Sequence, residues 1–211
     1  MLKINEIFYS IQGESSYGGM PCIFIRLTYC NLRCSYCDTE YSFYEGRDMS
    51  INQIMKEIEK YDCKLVEVTG GEPLMQEESI DLMNNLLKNN YRVMLETGGS
   101  LPINKVPKEV IKVVDFKCPS SNMEKKNDWN IISDLQQHDE IKFVIGDKED
   151  YEWTKNKIEE HNLNDRKILI SPVHDLLNSQ TLSEWILKDN LKVRLQLQLH
   201  KYIWSPDTKG V

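Results

Sequence analysis

"CIFIRLTYCNLRCSYCDTEY", residues 22–41, runs an apolar segment straight into a cluster of thiols. Residues 22–28 are apolar almost throughout, which suits a strand of a parallel sheet covered on its outer side. The loop after it carries Cys30, Cys34 and Cys37 in a C-x3-C-x2-C array. Three thiolates so close together reach one inorganic centre. A structural zinc site is closed by four ligands, usually from paired C-x2-C elements; no second pair follows, and His138 lies a hundred residues on. A ferredoxin also supplies four cysteines per cluster. Three thiolates leave one iron of a [4Fe–4S] cube open to a small molecule, and the spacing favours that centre over zinc. Tyr36, between the last two cysteines, is placed to shield it from water.

The same order, strand and then an unusual polar cluster, recurs along the chain. Residues 65–69, 91–97, 111–117, 140–145, 167–171 and 193–199 read as further strands. Helical patterns lie between them. Ser50 with Gln53 makes a capping box ahead of the stripe Ile51, Ile54, Met55 and Ile58. Residues 77–90, 148–162 and 179–189 read as helices, with a weaker one over 127–137. Repeated β-α-β order implies right-handed crossovers. The expected fold is therefore α/β: one domain over residues 1–211, with parallel strands in an open sheet or an incomplete barrel. In either, the carboxyl ends of the strands share one rim, where active sites sit. "GGEP" (70–73), "ETGGS" (96–100), "FKCPSS" (116–121), "SPVHD" (171–175) and "QLHKY" (198–202) all fall there.

Composition narrows the partners. The chain has 211 residues and a net charge of −7, with no basic footprint for nucleic acid. Lys125 and Lys126 sit beside Glu124 and Asp128 and read as a solvated loop. No apolar run is long enough to span a membrane, and Asn5 and Glu6 interrupt what would be a signal peptide's greasy core. A cytoplasmic protein acting on small molecules is expected. In that compartment the six cysteines point to ligand roles rather than disulfides. Cys22 reads as a small core residue.

With C-x3-C-x2-C, an aromatic before the last cysteine and "GGEP" after the next strand, the chain resembles the radical S-adenosylmethionine (SAM) enzymes. The resemblance implies a full or partial (β/α) barrel. It also implies a [4Fe–4S] cluster on Cys30, Cys34 and Cys37, with SAM chelating the open iron and being cleaved to a 5'-deoxyadenosyl radical. Gly70, Gly71 and Glu72 match the motif that meets the methionyl amino group. The bare glycines let backbone approach a ligand, and Pro73 suits the first turn of a helix. Glu96, Lys117, Ser120, Ser121, Ser171 and His174 are SAM-side candidates by position.

"FYSIQGESSYGGMPCIFIRLTYCNLRCSYCDTEYSF" and the tail "RLQLQLHKYIWSPDTKGV" resemble the 7-carboxy-7-deazaguanine synthase family. That resemblance implies ring contraction of 6-carboxy-5,6,7,8-tetrahydropterin with loss of ammonia, on the route to queuosine, SAM being regenerated. It implies a homodimer, a flavodoxin- or ferredoxin-type reductant, and magnesium at Thr39, a hard oxygen donor. Arg26 offers a fork for the substrate carboxylate. Ile11, Gln12, Gly13 and Glu14 match the family's substrate loop, and amide and carboxylate groups there suit a guanine-like edge. Thr69, His200 and the carboxylate of Val211 complete the expected substrate contacts. Ser15 stands where the family has glycine, and "ETGGS" where it has "ETNGS".

Overall fold

A computed structural model describes residues 1–206 and 208–211. The opening apolar run is strand β2 (Pro21–Leu27), paired antiparallel with β1 (Leu2–Ile11), on whose far side lies the short β3 (Arg47–Met49). From β2 onward every pairing is parallel, through β4 (Leu65–Gly70), β5 (Arg92–Thr97), β6 (Ile111–Phe116), β7 (Glu140–Ile145), β8 (Lys167–Pro172) and β9 (Arg194–Leu195). The order β3-β1-β2-β4-β5-β6-β7-β8-β9 has two free ends, so the barrel is partial, as expected.

Helices α1 (Ile51–Ile58), α2 (Glu78–Lys88), α3 (Lys148–Glu160) and α4 (Ser179–Lys188) supply the crossovers, and a single turn, α5 (His200–Ile203), follows β9. The Ser50–Gln53 capping box forms as read. Ile54, Met55 and Ile58 then meet Ile23, Ile25 and Leu27 in the larger core, outside the sheet. Each such buried side chain contributes about 1.5–3 kcal/mol.

The inner face of the curved sheet carries its own smaller core. Cys22, Phe24, Leu65, Met94, Ile111, Val113 and Leu169 fill the base of the partial barrel. Side chains alternate across a strand, so the next inward residues stand above that floor. Arg26 follows Phe24, Glu96 follows Met94 and Asp115 follows Val113. Each charge interrupting an apolar strand is thus aimed at the open end.

Three expectations change. Strands β1 and β3 were not legible as strands, because β1 shifts register between Ile4 and Glu6, and that bulge breaks the alternation. The last strand shrinks from residues 193–199 to Arg194–Leu195. Beyond it Gln196 and Gln198 turn their amides to Glu14, and the Leu199 N–H bonds Gly13, tying the segment to another loop. The helix expected over 127–137 is a 3₁₀ stretch, Trp129–Asp134, capped by Asp128, with Trp129 stacked on Phe116 at 4.3 Å between ring centres.

Candidate active site

The rim encloses a cavity of about 760 Å³, a size typical of ligand sites. The cysteine loop forms one wall. Tyr29 turns it in the left-handed region (φ 79°), and its carbonyl accepts the Glu72 N–H at 2.7 Å. Beneath the loop the Ser35 N–H and hydroxyl bond the Ser121 and Ser120 carbonyls at 3.1 and 2.6 Å. Cys30, Cys34 and Cys37 all line the cavity. Burial pushes the Cys34 thiol up to about 11 and raises Cys30 as well. Coordination to a metal would offset that penalty, since a bound thiol is deprotonated. Tyr36 also lines the cavity, its hydroxyl bonded to the Val144 carbonyl at 3.3 Å.

The GGEP turn is built against this loop. A Cβ on Gly71 would lie 2.2 Å from the Tyr29 carbonyl oxygen, and one on Gly70 2.4 Å from that of Leu27. The close approach that the glycines permit is therefore protein against protein. Glu72 borders the cavity. It is fully buried, and its carboxylate accepts from the Leu74 N–H, the Thr97 hydroxyl and the Gly98 N–H at 2.7–3.0 Å. Its side chain thereby braces one rim turn against the next.

A charge network crosses the cavity. Lys142 on β7 is buried and pairs with Glu14, with Glu96 at 2.8 Å and with Asp115 at 3.7 Å. Lys117 holds the same Asp115 oxygen at 2.9 Å. Burial alone would lower both ammoniums, but the carboxylates raise Lys142 strongly, and Asp115 and the Cys34 thiol raise Lys117. Burial would likewise raise Glu96, yet Lys142 keeps it below its ordinary range.

The loop after β1 also lines the cavity. Gln12 accepts the Glu14 N–H and donates to the buried Glu67. Gln196 and Gln198 fix the two Glu14 oxygens, at 3.0 and 2.8 Å. Ser15 sits in the left-handed region (φ 63°), where glycine costs least, and its hydroxyl accepts the Tyr17 N–H. His200 turns the Nδ1 edge of its ring toward Gly13, where a Cβ would lie 2.3 Å from Nδ1. Lys201 reaches Asp38 at 2.9 Å; burial would raise that carboxyl, but Lys201 holds it down to about 2. Arg26 bonds Glu6 through Nε at 2.8 Å, and Tyr41 donates to the same Glu6 oxygen.

The cavity thus gathers Ile11, Gln12, Gly13, Glu14, Arg26, Cys30, Cys34, Cys37, Thr39, Thr69, Gly70, Gly71, Glu72, Glu96, Lys117, His174, His200 and Val211. Three expected residues stay off the wall. The Ser120 hydroxyl bonds Asp150 and the Ser121 hydroxyl bonds Cys118, so both serve the scaffold under the cysteine loop. Ser171 is buried beside Val144 on the neighbouring strand, and its hydroxyl has no hydrogen-bond partner among the described residues. Conversely, Glu6, Glu67, Asp115 and Lys142 escaped the sequence reading. A charge in the middle of an apolar strand was the available signal for the last three.

The sequence pattern of the Radical SAM superfamily matches residues 24–116. The 7-carboxy-7-deazaguanine synthase of Koribacter versatilis is 46% identical, covering 100% of both chains. The chain belongs to the 7-carboxy-7-deazaguanine synthase family. The synthase of Chlorobaculum tepidum is 44% identical over 100% of this chain and 97% of its own. Among solved structures, QueE from Escherichia coli superimposes with a TM-score of 0.73 at 24% identity, covering 92% of this chain and 93% of that one. At that identity the likeness carries the fold.

Membership in this radical SAM family implies a [4Fe–4S] cluster and SAM, and the donor set fits both. Exactly those three cysteines reach the cavity. Cys22 and Cys118 are buried in the cores, and Cys63 bonds the Pro21 carbonyl. Among the described residues no three Cys, His, Asp or Glu side chains are grouped tightly enough for a single ion. Thiolates on different irons of a cube stand further apart than ligands of one ion. Glu96, Lys117 and His174 offer acid, ammonium and imidazole on the same wall for a zwitterionic, ribose-bearing cofactor.

Proposed function

We propose that this protein converts 6-carboxy-5,6,7,8-tetrahydropterin to 7-carboxy-7-deazaguanine with loss of ammonia, using SAM catalytically, in the cytoplasm. The observation that carries the reading is one cavity lined by three unpaired thiols and by an amide–carboxylate–guanidinium array, at 46% identity to a named synthase. The cluster and SAM, when bound, supply the one-electron chemistry that removes a hydrogen atom from the substrate.

The chain's own residues do the rest. Arg26 meets the substrate carboxylate with the guanidinium nitrogens that Glu6 leaves free, and Glu6 with Tyr41 fixes the plane of the fork. Glu14 accepts N–H groups of the ring, oriented by Gln196, Gln198 and Lys142. Thr69 adds a hydroxyl at the rim. Glu96, Lys117 and His174 hold SAM. Thr39 gives a magnesium ion one hard oxygen while substrate and water give the others. His200, the Lys201–Asp38 pair and Val211 close the opening against water. The electron comes from a flavodoxin- or ferredoxin-type protein, and the working unit is a homodimer.

Anaerobically reconstituted protein given reductant, magnesium, SAM and the carboxypterin should release ammonia and the deazapurine with many turnovers per SAM. Accumulation of 5'-deoxyadenosine alone would sink the substrate assignment.

A further inference from the structure

Glu67 is the buried acid to which the reading above gives no task. It lies midway along β4, and its neighbours Val66 and Val68 belong to the outer core, so Glu67 faces inward. It pairs in register with Phe24 and Met94, two residues of the floor. It is 5% exposed and lines the cavity below Thr69.

No cation pairs with it. Lys142 is held by Glu14, Glu96 and Asp115, Lys117 by Asp115 and Arg26 by Glu6. Three carboxylates already share two ammoniums there. A fourth buried anion would be uncompensated, and such a group keeps its proton instead. The groups facing it are Glu96 from β5, Glu14 and Gln12 from the loop after β1, Lys142 from β7 and the Cys22 thiol from β2, with Arg26 and His200 across the same cavity. Burial first, then Glu96 and Glu14, push its carboxyl up to about 8.

A hydrogen-bond relay fixes where that proton sits. The Glu14 N–H donates to Gln12 Oε1 at 3.1 Å, so the Gln12 amide must present Nε2 to Glu67. That N–H occupies Glu67 Oε2. The acidic hydrogen is left on Oε1, the oxygen without a protein partner.

We propose that Glu67 is a substrate-binding residue whose neutral carboxyl donates a hydrogen bond from the cavity floor to an acceptor atom, a ring nitrogen or carbonyl oxygen, of the bound heterocycle. The proposal rests on the pterin reading and adds to it. Glu14 accepts from the ring, and Glu67 donates to it. An ionised floor carboxylate would select a ring N–H; a neutral one selects an acceptor.

The test is anaerobic calorimetry of 6-carboxy-5,6,7,8-tetrahydropterin binding to the SAM-loaded holoenzyme between about pH 6.5 and 9.5, for the wild type, Glu67→Gln and Glu67→Leu. Wild-type affinity should hold to about pH 8 and then fall by about tenfold per pH unit as the donor ionises. Glu67→Gln should remove that fall, because its amide donates without titrating. Glu67→Leu should bind about tenfold or more weakly at neutral pH while still binding SAM, which reports an intact fold. Ionisation of the ligand is common to all three proteins and cancels. A Glu67→Gln profile with the wild-type alkaline fall, or wild-type affinity in Glu67→Leu, overturns the proposal. A wild type that binds no pterin at any pH overturns the functional reading itself, and this inference with it.

Discussion

Lys142 Nζ lies 2.8 Å from Glu96 Oε1, two strands away, and the same ammonium also pairs with Glu14. One buried cation therefore joins the cofactor-side acid to the substrate-side acid. Replacing Lys142 by Met leaves the buried Asp115 and the half-buried Glu14 and Glu96 without it, an expected loss of about 3 kcal/mol, read by thermal unfolding. Turnover should fall more than a hundredfold, with SAM cleavage uncoupled from deazapurine formation. Lys142→Arg should restore part of the coupling.

The cysteines separate by position. Changing Cys30, Cys34 or Cys37 to Ala should abolish the visible absorption of reconstituted protein and lower its iron and sulfide content. The same change at Cys22, Cys63 or Cys118 should leave iron content intact, because those thiols point into the cores or at the Pro21 carbonyl. Iron loss in the second set, or retention in the first, would contradict the assignment.

At Gly13 a methyl group would meet His200 Nδ1. Gly13→Ala should push α5 off the substrate loop. The expected result is a raised KM for the pterin, a smaller change in kcat and little change in melting temperature. Steady-state kinetics with unfolding curves resolve the three.

Glu67 also makes stability depend on pH. Its folded carboxyl titrates at about 8, above its ordinary 4.5. Between those values the folded state holds the extra proton. This contribution is fully present below about pH 4.5 and is lost as pH rises through 8. Denaturant unfolding of Glu67→Gln should lack that part of the wild-type decline from acid to alkaline pH; matching slopes would refute it.

Away from the site, Lys112 and Asp139 form a buried pair at 3.1 Å, and Asp139 also accepts the Lys112 and Gln136 N–H groups. Asp139→Ala should cost about 3–5 kcal/mol by stranding the ammonium. Chemical denaturation measures it, and the iron content should not change.

Much of this was legible in local chemistry. Strand β2 and strands β4 to β8 announce themselves by largely apolar runs, because the outer face of the parallel sheet and the base of its inner face are dry. The helix at Ser50 is written in its cap. The thiol triplet needs only its own spacing. Strand β1 was not legible, since a bulge spoils its period. The partners of Ser120, Ser121 and Glu72 were not legible because what a loop residue meets depends on what folds against it. Those partners, Asp150, Cys118 and Gly98, lie 30, 3 and 26 residues away.

Composition, periodicity and cysteine spacing were enough to give the α/β class, the shared rim and a cavity with three thiols, for each depends on neighbours along the chain. Only the tertiary structure decided which charges meet. Glu14, Glu67, Glu96, Asp115 and Lys142 come from five separate segments, and the curvature of the sheet brings them over one floor. Whether a carboxyl there is an anion or an acid turns on how many cations reach it in space, a count that no local stretch of sequence contains.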